Sequence, residues 1–423
     1  MQSAKFCPTE PVPSEKFVGR TSELYTIFDQ IHDRGHVAIS GSFGIGKTSL
    51  LKYIKSPNYW EEWEEKELNF SKALIVYHNC EISLTPQSFW QEVLKELKNE
   101  AQGDEDLQSK IDDVLKLETI EVRDIRQILR EIGKRDKFLL LLLDDYHRIV
   151  GTQEDYTNNL KKPKEMQTFL SGLRDIAVHS TEGKYFSTVV AAFQKLDELG
   201  PEIPRGGSPW YNHYIYVDLK PFTQDDIDNY FFNPANENFF ISIPDSIQKE
   251  KVLEMTGGYP ILLQHAGRTF SKLKRDSELD IDVDIFKAEF KEQTEKILKD
   301  IWRDLTADEQ NLLLLIVIDN SEGEVSGKRY SADNKDKVFE RNRYKLKILQ
   351  QKGLIYKNPD QEKYNFSSSL MQDLIVQKLF DEKISDPREE KILFEKFGIK
   401  FTEKQAKIVK KMHRFLCKLE KIF

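Results

Sequence analysis

Three observations predict an α/β fold with a central parallel sheet for the first half of this chain. Short β-branched or leucine-rich runs recur at "HVAIS", "FLLLLL" and "STVVAAFQ", as strands buried on both faces require. Stretches such as "TSLLKYIK" and "TPQSFWQEVLKELKNEA" place apolar residues at helical spacing between them. A glycine-rich segment, "GSFGIGKTSL" at 41–50, joins the first strand to the first such helix. Strands are expected near 37–40, 73–78, 138–143, 187–192 and 214–219. In the helix from 85, Phe89, Trp90, Val93, Leu94 and Leu97 share one face, which is core packing.

At 423 residues the chain is too long for one ordinary core, so two or three domains are expected. Its three cysteines, Cys7, Cys80 and Cys417, are far apart and form no metal-ligand spacing, which points to a reducing compartment. The first residues lack the apolar core of a signal peptide, and the longest apolar runs are too short to span a bilayer. The expectation is a soluble, cytoplasmic protein with no membrane partner. A net charge of −8 argues against a surface basic throughout. Basic residues gather instead in the C-terminal third: residues 327–352 carry nine Lys or Arg against three acids, and 388–423 carry eleven against five.

The glycine segment fits G-x-x-x-x-G-K-S/T and sits between a strand and a helix, the context that gives the motif meaning. Backbone N–H groups of Gly41, Ser42, Phe43, Gly44, Ile45, Gly46, Lys47, Thr48 and Ser49 are placed to turn toward one anion, with the helix N-terminus behind them. Lys47 would reach the β and γ phosphates of ATP or ADP, and Thr48 would offer its hydroxyl to Mg²⁺. The metal also needs a carboxylate at a buried strand end. "KFLLLLLDDYHR" supplies Asp144 for the metal and Asp145 to orient or deprotonate the attacking water. Gln194, just past the strand at 187–192, is placed where a side chain could sense the γ-phosphate.

With "KFVGRTSEL" upstream and "VDLKPFTQDDIDNYF" and "MTGGYPILL" downstream, these motifs resemble the STAND class of signal-transduction ATPases. That class is kin to the AAA, NACHT and NB-ARC families, and the resemblance runs from about residue 17 to 380. It implies that Phe17, Val18, Gly19 and Arg20 pack beside the adenine. It implies also that Pro260, in Gly258-Tyr259-Pro260, touches the base from a helical lid. "LTADEQNLLLLIVID", a basic helix near 335–352, two short strands around Asn-Pro-Asp and a last helix follow in the order of a winged helix-turn-helix. No Met-His-Asp triplet of the NB-ARC kind is present, so the resemblance is closer to the prokaryotic ATPase branch. As in AAA relatives, an arginine from a neighbouring protomer would complete the site, and Arg205 is the residue placed for it.

The resulting layout is an arm at 1–16, a phosphate-loop nucleotide domain at 17–221, a helical lid at 222–300, a winged-helix domain at 301–382 and a helical tail at 383–423. Such a chain is expected to be a slow, Mg-dependent ATPase acting as a switch. ADP closes it, ATP opens it, and opening frees a surface for self-association or for a separate effector protein in signalling or defence. The alternative is a DNA-binding ATPase of the origin-recognition type, with the basic helix near 335–352 on the duplex. No protease, nuclease or other catalytic constellation accompanies the phosphate loop, and none of the eight histidines lies in a metal or nucleophile motif.

Overall fold

The computed structural model describes residues 6–60, 72–83, 85–203, 206–233, 249–276, 282–321, 324–325, 328–332, 335–358, 362–381 and 399–401. The chain divides into two compact units, one of Thr9–Leu219 and one of Met1–Pro8 with Lys220–Phe423.

The first unit is built on five parallel strands: β1 (His36–Ser40), β2 (Ala73–Asn79), β3 (Phe138–Asp144), β4 (Phe186–Ala192) and β5 (Tyr214–Asp218). Their spatial order is β2-β3-β4-β1-β5. Every residue of β1, β3 and β4 is buried, which is why these segments read as largely apolar runs, interrupted by the buried polar residues His36, Ser40, Ser187 and Thr188, rather than as alternating ones. Strand β5 lies at the edge and leaves Ile215 and Tyr216 exposed.

The helices of this unit are α1 (Thr21–His32), α2 (Lys47–Lys55), α3 (Pro86–Glu100), α4 (Glu105–Leu115), α5 (Val122–Gly133), α6 (His147–Val150), α7 (Gln153–Thr157) and α8 (Pro163–Arg174). Helix α3 starts where Pro86 follows Thr85, whose hydroxyl accepts the Ser88 N–H in a capping box. Its Phe89, Trp90, Val93, Leu94 and Leu97 are all buried, on the expected face. Phe89 meets Phe169 of α8 edge-on at 5.2 Å, so the two helices share one aromatic core.

Residues 6–16, expected as a free arm, are held by contacts. Val12 donates its N–H to Ser49 Oγ at 3.1 Å, and Ser14 Oγ donates to Lys52 O at 3.2 Å, both on α2. Phe6 and Cys7 are buried within the second unit, where the Cys7 N–H donates to Gln264 Oε1 at 2.9 Å. Proline content suggested a linker; the buried phenylalanine and the hydrogen bonds override it.

The second unit contains α9 (Gln224–Tyr230), α10 (Lys249–Thr256), α11 (Pro260–Asp276), α12 (Val283–Arg303) and α13 (Ala307–Asn320). The strands β6 (Glu324–Val325) and β7 (Lys328–Ala332), then α14 (Lys335–Arg341) and α15 (Arg343–Gln351), follow. The hairpin β8 (Ile355–Lys357) and β9 (Tyr364–Phe366), α16 (Ser369–Asp381) and β10 (Ile399–Phe401) complete it. Strand β7 pairs antiparallel with β6 and β10. Helix α13 is apolar around most of its circumference and buries Leu312 through Ile318, as a helix enclosed on all sides must. Thr306 and Glu309 form a capping box at its start. The single basic helix expected over 335–352 is two helices that meet at Asn342, which lies outside helical geometry with ψ 21°. The antiparallel hairpin β8–β9 occupies the place expected for two short strands, the turn residues 359–361 lying outside the described residues. Most of the tail expected as helix over 383–423 lies outside them too.

Candidate nucleotide site

The phosphate loop leaves the C-terminal end of β1 and enters α2 at Gly46, where φ is +102°. Gly44 also has a positive φ, +74°. These two left-handed residues reverse the chain tightly enough for successive N–H groups to face one side, and glycine adopts them without strain. A Cβ built on Gly46 would meet no atom within 4 Å, so the loop borders open space at that point. Gly41 is required for a different reason: a Cβ there would lie 2.9 Å from Ile45 Cγ2 and 3.1 Å from Leu219 O.

Lys47 folds back over the loop and donates to Gly41 O at 2.7 Å and Ser42 O at 3.1 Å. Ile45 and Ser42 are buried, Phe43 is exposed at the loop tip, and Thr48 is half-buried in the first turn of α2. The Ser49 hydroxyl accepts the Val12 N–H, so it serves to fix the N-terminal segment.

The Phe17-Val18-Gly19-Arg20 segment lies against the same loop and helix. Phe17 stacks on Tyr53 of α2 with ring centroids 4.8 Å apart. Arg20, in left-handed conformation at the start of α1, donates from Nη2 to Ile45 O at 3.2 Å and pairs with Glu23 at 3.3 Å. Its guanidinium therefore braces the phosphate-loop backbone, a contact that the motif alone does not disclose.

Asp144 is the last residue of β3 and only 1% exposed. Both of its carboxylate oxygens are engaged: Tyr77 on β2 donates its O–H to Oδ2 at 2.9 Å, and the Asp145 N–H donates to Oδ1 at 3.0 Å. Burial and the neighbouring Asp144 charge push the Tyr77 phenol far up, so it stays a donor. Asp145 has a left-handed backbone, φ +48°. Burial, then the Asp144 charge, holds its carboxyl above the usual range, with the Lys47 charge opposing them. That direction makes Asp145 a better proton acceptor. His147, two residues on, is depressed to about 3 by burial and by the Lys47 and Arg148 charges, so it is a neutral wall group. It packs edge-on against Phe193 at 4.5 Å.

Gln194 lies half-buried two residues past β4. Because β4 lies between β3 and β1, Gln194 shares the C-terminal edge of the sheet with the phosphate loop and with Asp144, the crevice where open parallel sheets bind ligands. Pro260 opens α11 in the second unit. The glycines before it have a structural role there: a Cβ on Gly258 would lie 2.2 Å from Phe222 O, and one on Gly257 2.9 Å from Ser367 O. The Phe222 N–H donates to Gly258 O at 2.9 Å. Arg205 lies outside the described residues.

Tyr77 escaped the sequence reading because its partner lies on another strand, and only the register pairing Asn79 with Asp144 brings the two together. Among the described residues no cluster of three or more His, Cys, Asp or Glu could hold a metal ion. A hard, oxygen-liganded cation would here depend on Asp144, Thr48 and phosphate oxygens together. The donor set fits Mg²⁺, and the glycine-lined space with the Lys47 ammonium fits a phosphate chain.

Of the second unit's basic residues, Lys345 pairs with Asp308 and Lys335 with Asp319. Lys352 pairs with Glu309 at 2.6 Å, both largely buried. Arg341, Arg343 and Lys347 are exposed. No helix among the described residues is long and apolar enough to cross a membrane.

Residues 30–198 match the family model described as an AAA domain. No curated protein matches the chain by sequence. Among solved structures, the chain is similar to the Walker-type ATPase PABY2304 of Pyrococcus abyssi, with a TM-score of 0.55 and 15% identity over 88% of this chain and 99% of that one. It is similar also to the ORC2 protein of Aeropyrum pernix, determined as ADPNP-ADP complexes, with a TM-score of 0.50 and 13% identity over 88% and 97% of the two chains. At such identities the likeness is one of fold.

Proposed function

With an AAA-type phosphate-loop ATPase domain at residues 30–198 as the premise, we propose that the protein binds ATP with Mg²⁺, hydrolyses it slowly and uses the bound nucleotide as a switch. One observation carries the reading: the phosphate loop and the Asp144-Asp145 pair lie at the same end of one parallel sheet, close enough for the Lys47 charge to act on Asp145. In this reading the loop N–H groups and Lys47 bind the phosphates, and Thr48 and Asp144 hold the metal, which offsets charge on the phosphate oxygens. Asp145 takes the proton of the attacking water, and Gln194 contacts the γ-phosphate. Phe17, Val18, Gly19 and Arg20 are assigned to the base, and so is Pro260, as the family resemblance implies.

The division into a nucleotide unit and a second compact unit supports a switch, because a body outside the nucleotide domain is available to respond. Elements α9 to α12 are assigned to a lid, and α13 to α16 with β8–β9 to a winged helix. ATP would favour self-association or engagement of a separate effector, with Arg205 supplied across the new interface. The test is to extract the nucleotide from purified protein and measure particle mass by light scattering with ADP and with ATP. Retained ADP and a mass that rises with ATP are expected; protein that is empty as purified, with one mass in every state, contradicts the switch.

The second reading, a DNA-binding ATPase, draws on Arg341, Arg343 and Lys347, exposed on and beside α15. It requires affinity for duplex DNA that falls steeply with salt, and submicromolar sequence-dependent binding at physiological salt would place it ahead of the switch. The ion pairs of Lys335, Lys345 and Lys352 reduce the charge left for phosphates, which favours the switch.

A further inference from the structure

At the C-terminal edge of the sheet, Ala192, Ser40 and Asp218 lie side by side in register on β4, β1 and β5. The Asp218 carboxylate accepts from the Ser40 hydroxyl through Oδ1 and pairs through Oδ2 with Lys195 Nζ at 3.1 Å. Lys195 comes three residues after β4 ends and immediately after Gln194. Its side chain therefore reaches β5, the strand beyond β1, and meets there the carboxylate that also holds Ser40, the residue before the phosphate loop. Ser40 is buried, and Lys195 and Asp218 keep only 30% and 24% of their side chains exposed. The backbone reinforces the contact: Leu219 donates its N–H to Ser40 O at 2.8 Å, and its carbonyl lies against Gly41.

We propose that Asp218 and Lys195 are positioning residues of the nucleotide site, a bridge that fixes the Gln194 segment against the start of the phosphate loop and so sets discrimination between ATP and ADP. A side chain that reads a γ-phosphate must be held to within a fraction of an ångström relative to the loop that holds the other phosphates. Gln194 sits on a turn, and among the described contacts its neighbour's ion pair is what ties that turn across β1. The carboxylate shares its two oxygens between the loop-side hydroxyl and the turn-side ammonium, so neither can shift without loosening the other. Without the bridge, ADP binding, which does not involve a γ-phosphate, should persist while the preference for ATP declines.

This inference rests on the proposed role of Gln194, and the experiment separates the two. Equilibrium dissociation constants for a slowly hydrolysed ATP analogue and for ADP are measured for wild type, Lys195→Met, Lys195→Arg, Asp218→Asn, Gln194→Ala and the double variant of Lys195→Met with Gln194→Ala, well below each melting temperature. The bridge predicts that Lys195→Met and Asp218→Asn raise the analogue-to-ADP ratio of dissociation constants at least fivefold, that Lys195→Arg stays within twofold of wild type, and that Lys195→Met adds nothing in a Gln194→Ala background. A structural ion pair alone would lower melting temperature and leave the ratio unchanged, which overturns the inference. If Lys195→Met changes the ratio and Gln194→Ala does not, the sensing role of Gln194 falls and the inference with it. If wild type binds neither nucleotide, the nucleotide-site reading itself has failed.

Discussion

Replacing Tyr77 by Phe removes one oxygen and leaves the ring packing in place, so it isolates the hydrogen bond to Asp144 Oδ2. Asp144 is almost fully buried, and its other oxygen keeps the Asp145 N–H. A hydrogen bond to an ionised group contributes about 1.5–3 kcal/mol. For a domain of this size roughly 2–4 °C of melting temperature corresponds to each kcal/mol. Tyr77→Phe should therefore melt roughly 3–12 °C lower. The half-saturating Mg²⁺ concentration for nucleotide binding should rise about tenfold, the equivalent of ~1.4 kcal/mol lost from carboxylate orientation. In an Asp144→Asn background the same change should cost only about 0.5–1.5 kcal/mol, because a neutral acceptor is left behind. Thermal unfolding and magnesium titrations of the four proteins close the cycle. Unchanged melting and unchanged Mg²⁺ dependence in Tyr77→Phe would refute the claim that the phenol positions Asp144.

Asp145→Asn should bind Mg·ATP with near wild-type affinity and hydrolyse it at least about tenfold more slowly; equal turnover in a phosphate-release assay would place the proton acceptor elsewhere. Gly258→Ala forces a side chain into left-handed backbone and onto Phe222 O, and should destabilise the second unit by about 2 kcal/mol or more, read by denaturant unfolding. Stability should also fall in acid. His36 is buried, its pKa lowered to about 3 by burial and then by His213, and its Nδ1 is hydrogen-bonded to Thr188. Because the unfolded chain takes up the proton first, the contribution is complete above about pH 6.5 and is lost as pH falls toward 3. From pH 7.5 to 5.0 the loss from this group alone is about 2 kcal/mol, and equal stability at both values would contradict the burial of a neutral imidazole.

The strands were legible because β1, β3 and β4 are buried on both faces and β2 nearly so, while the half-exposed edge strand β5 still keeps a β-branched and aromatic run. "FLLLLLDD" announced both β3 and the acidic pair at its end, and the glycine segment announced the turn into α2. Less legible was whatever depends on which strands are neighbours. The order that places β4 between β3 and β1, the register that brings Tyr77 to Asp144, and the reach of Lys195 across β1 to Asp218 are all long-range. No local pattern encodes them. Arg20 was singled out by its motif, yet its bond to Ile45 O follows from the fold. The break at Asn342 was missed because "NKDKVFERNRYKLKILQQK" keeps helical composition throughout, and Asn is only a weak breaker. The glycines before Pro260 entered only through the base contact that their motif implies, whereas the close approach of Phe222 and Ser367 explains why both lack side chains.

The central claim is that the loop from Gly41 to Thr48 holds the phosphates of ATP, with Lys47 as the cation at their centre. Isothermal titration of ATP with Mg²⁺ into wild type and Lys47→Ala tests it most directly. The account predicts a single site in wild type and binding weakened at least about a hundredfold, some 2.7 kcal/mol, in the variant. Equal affinity in the two proteins would contradict it.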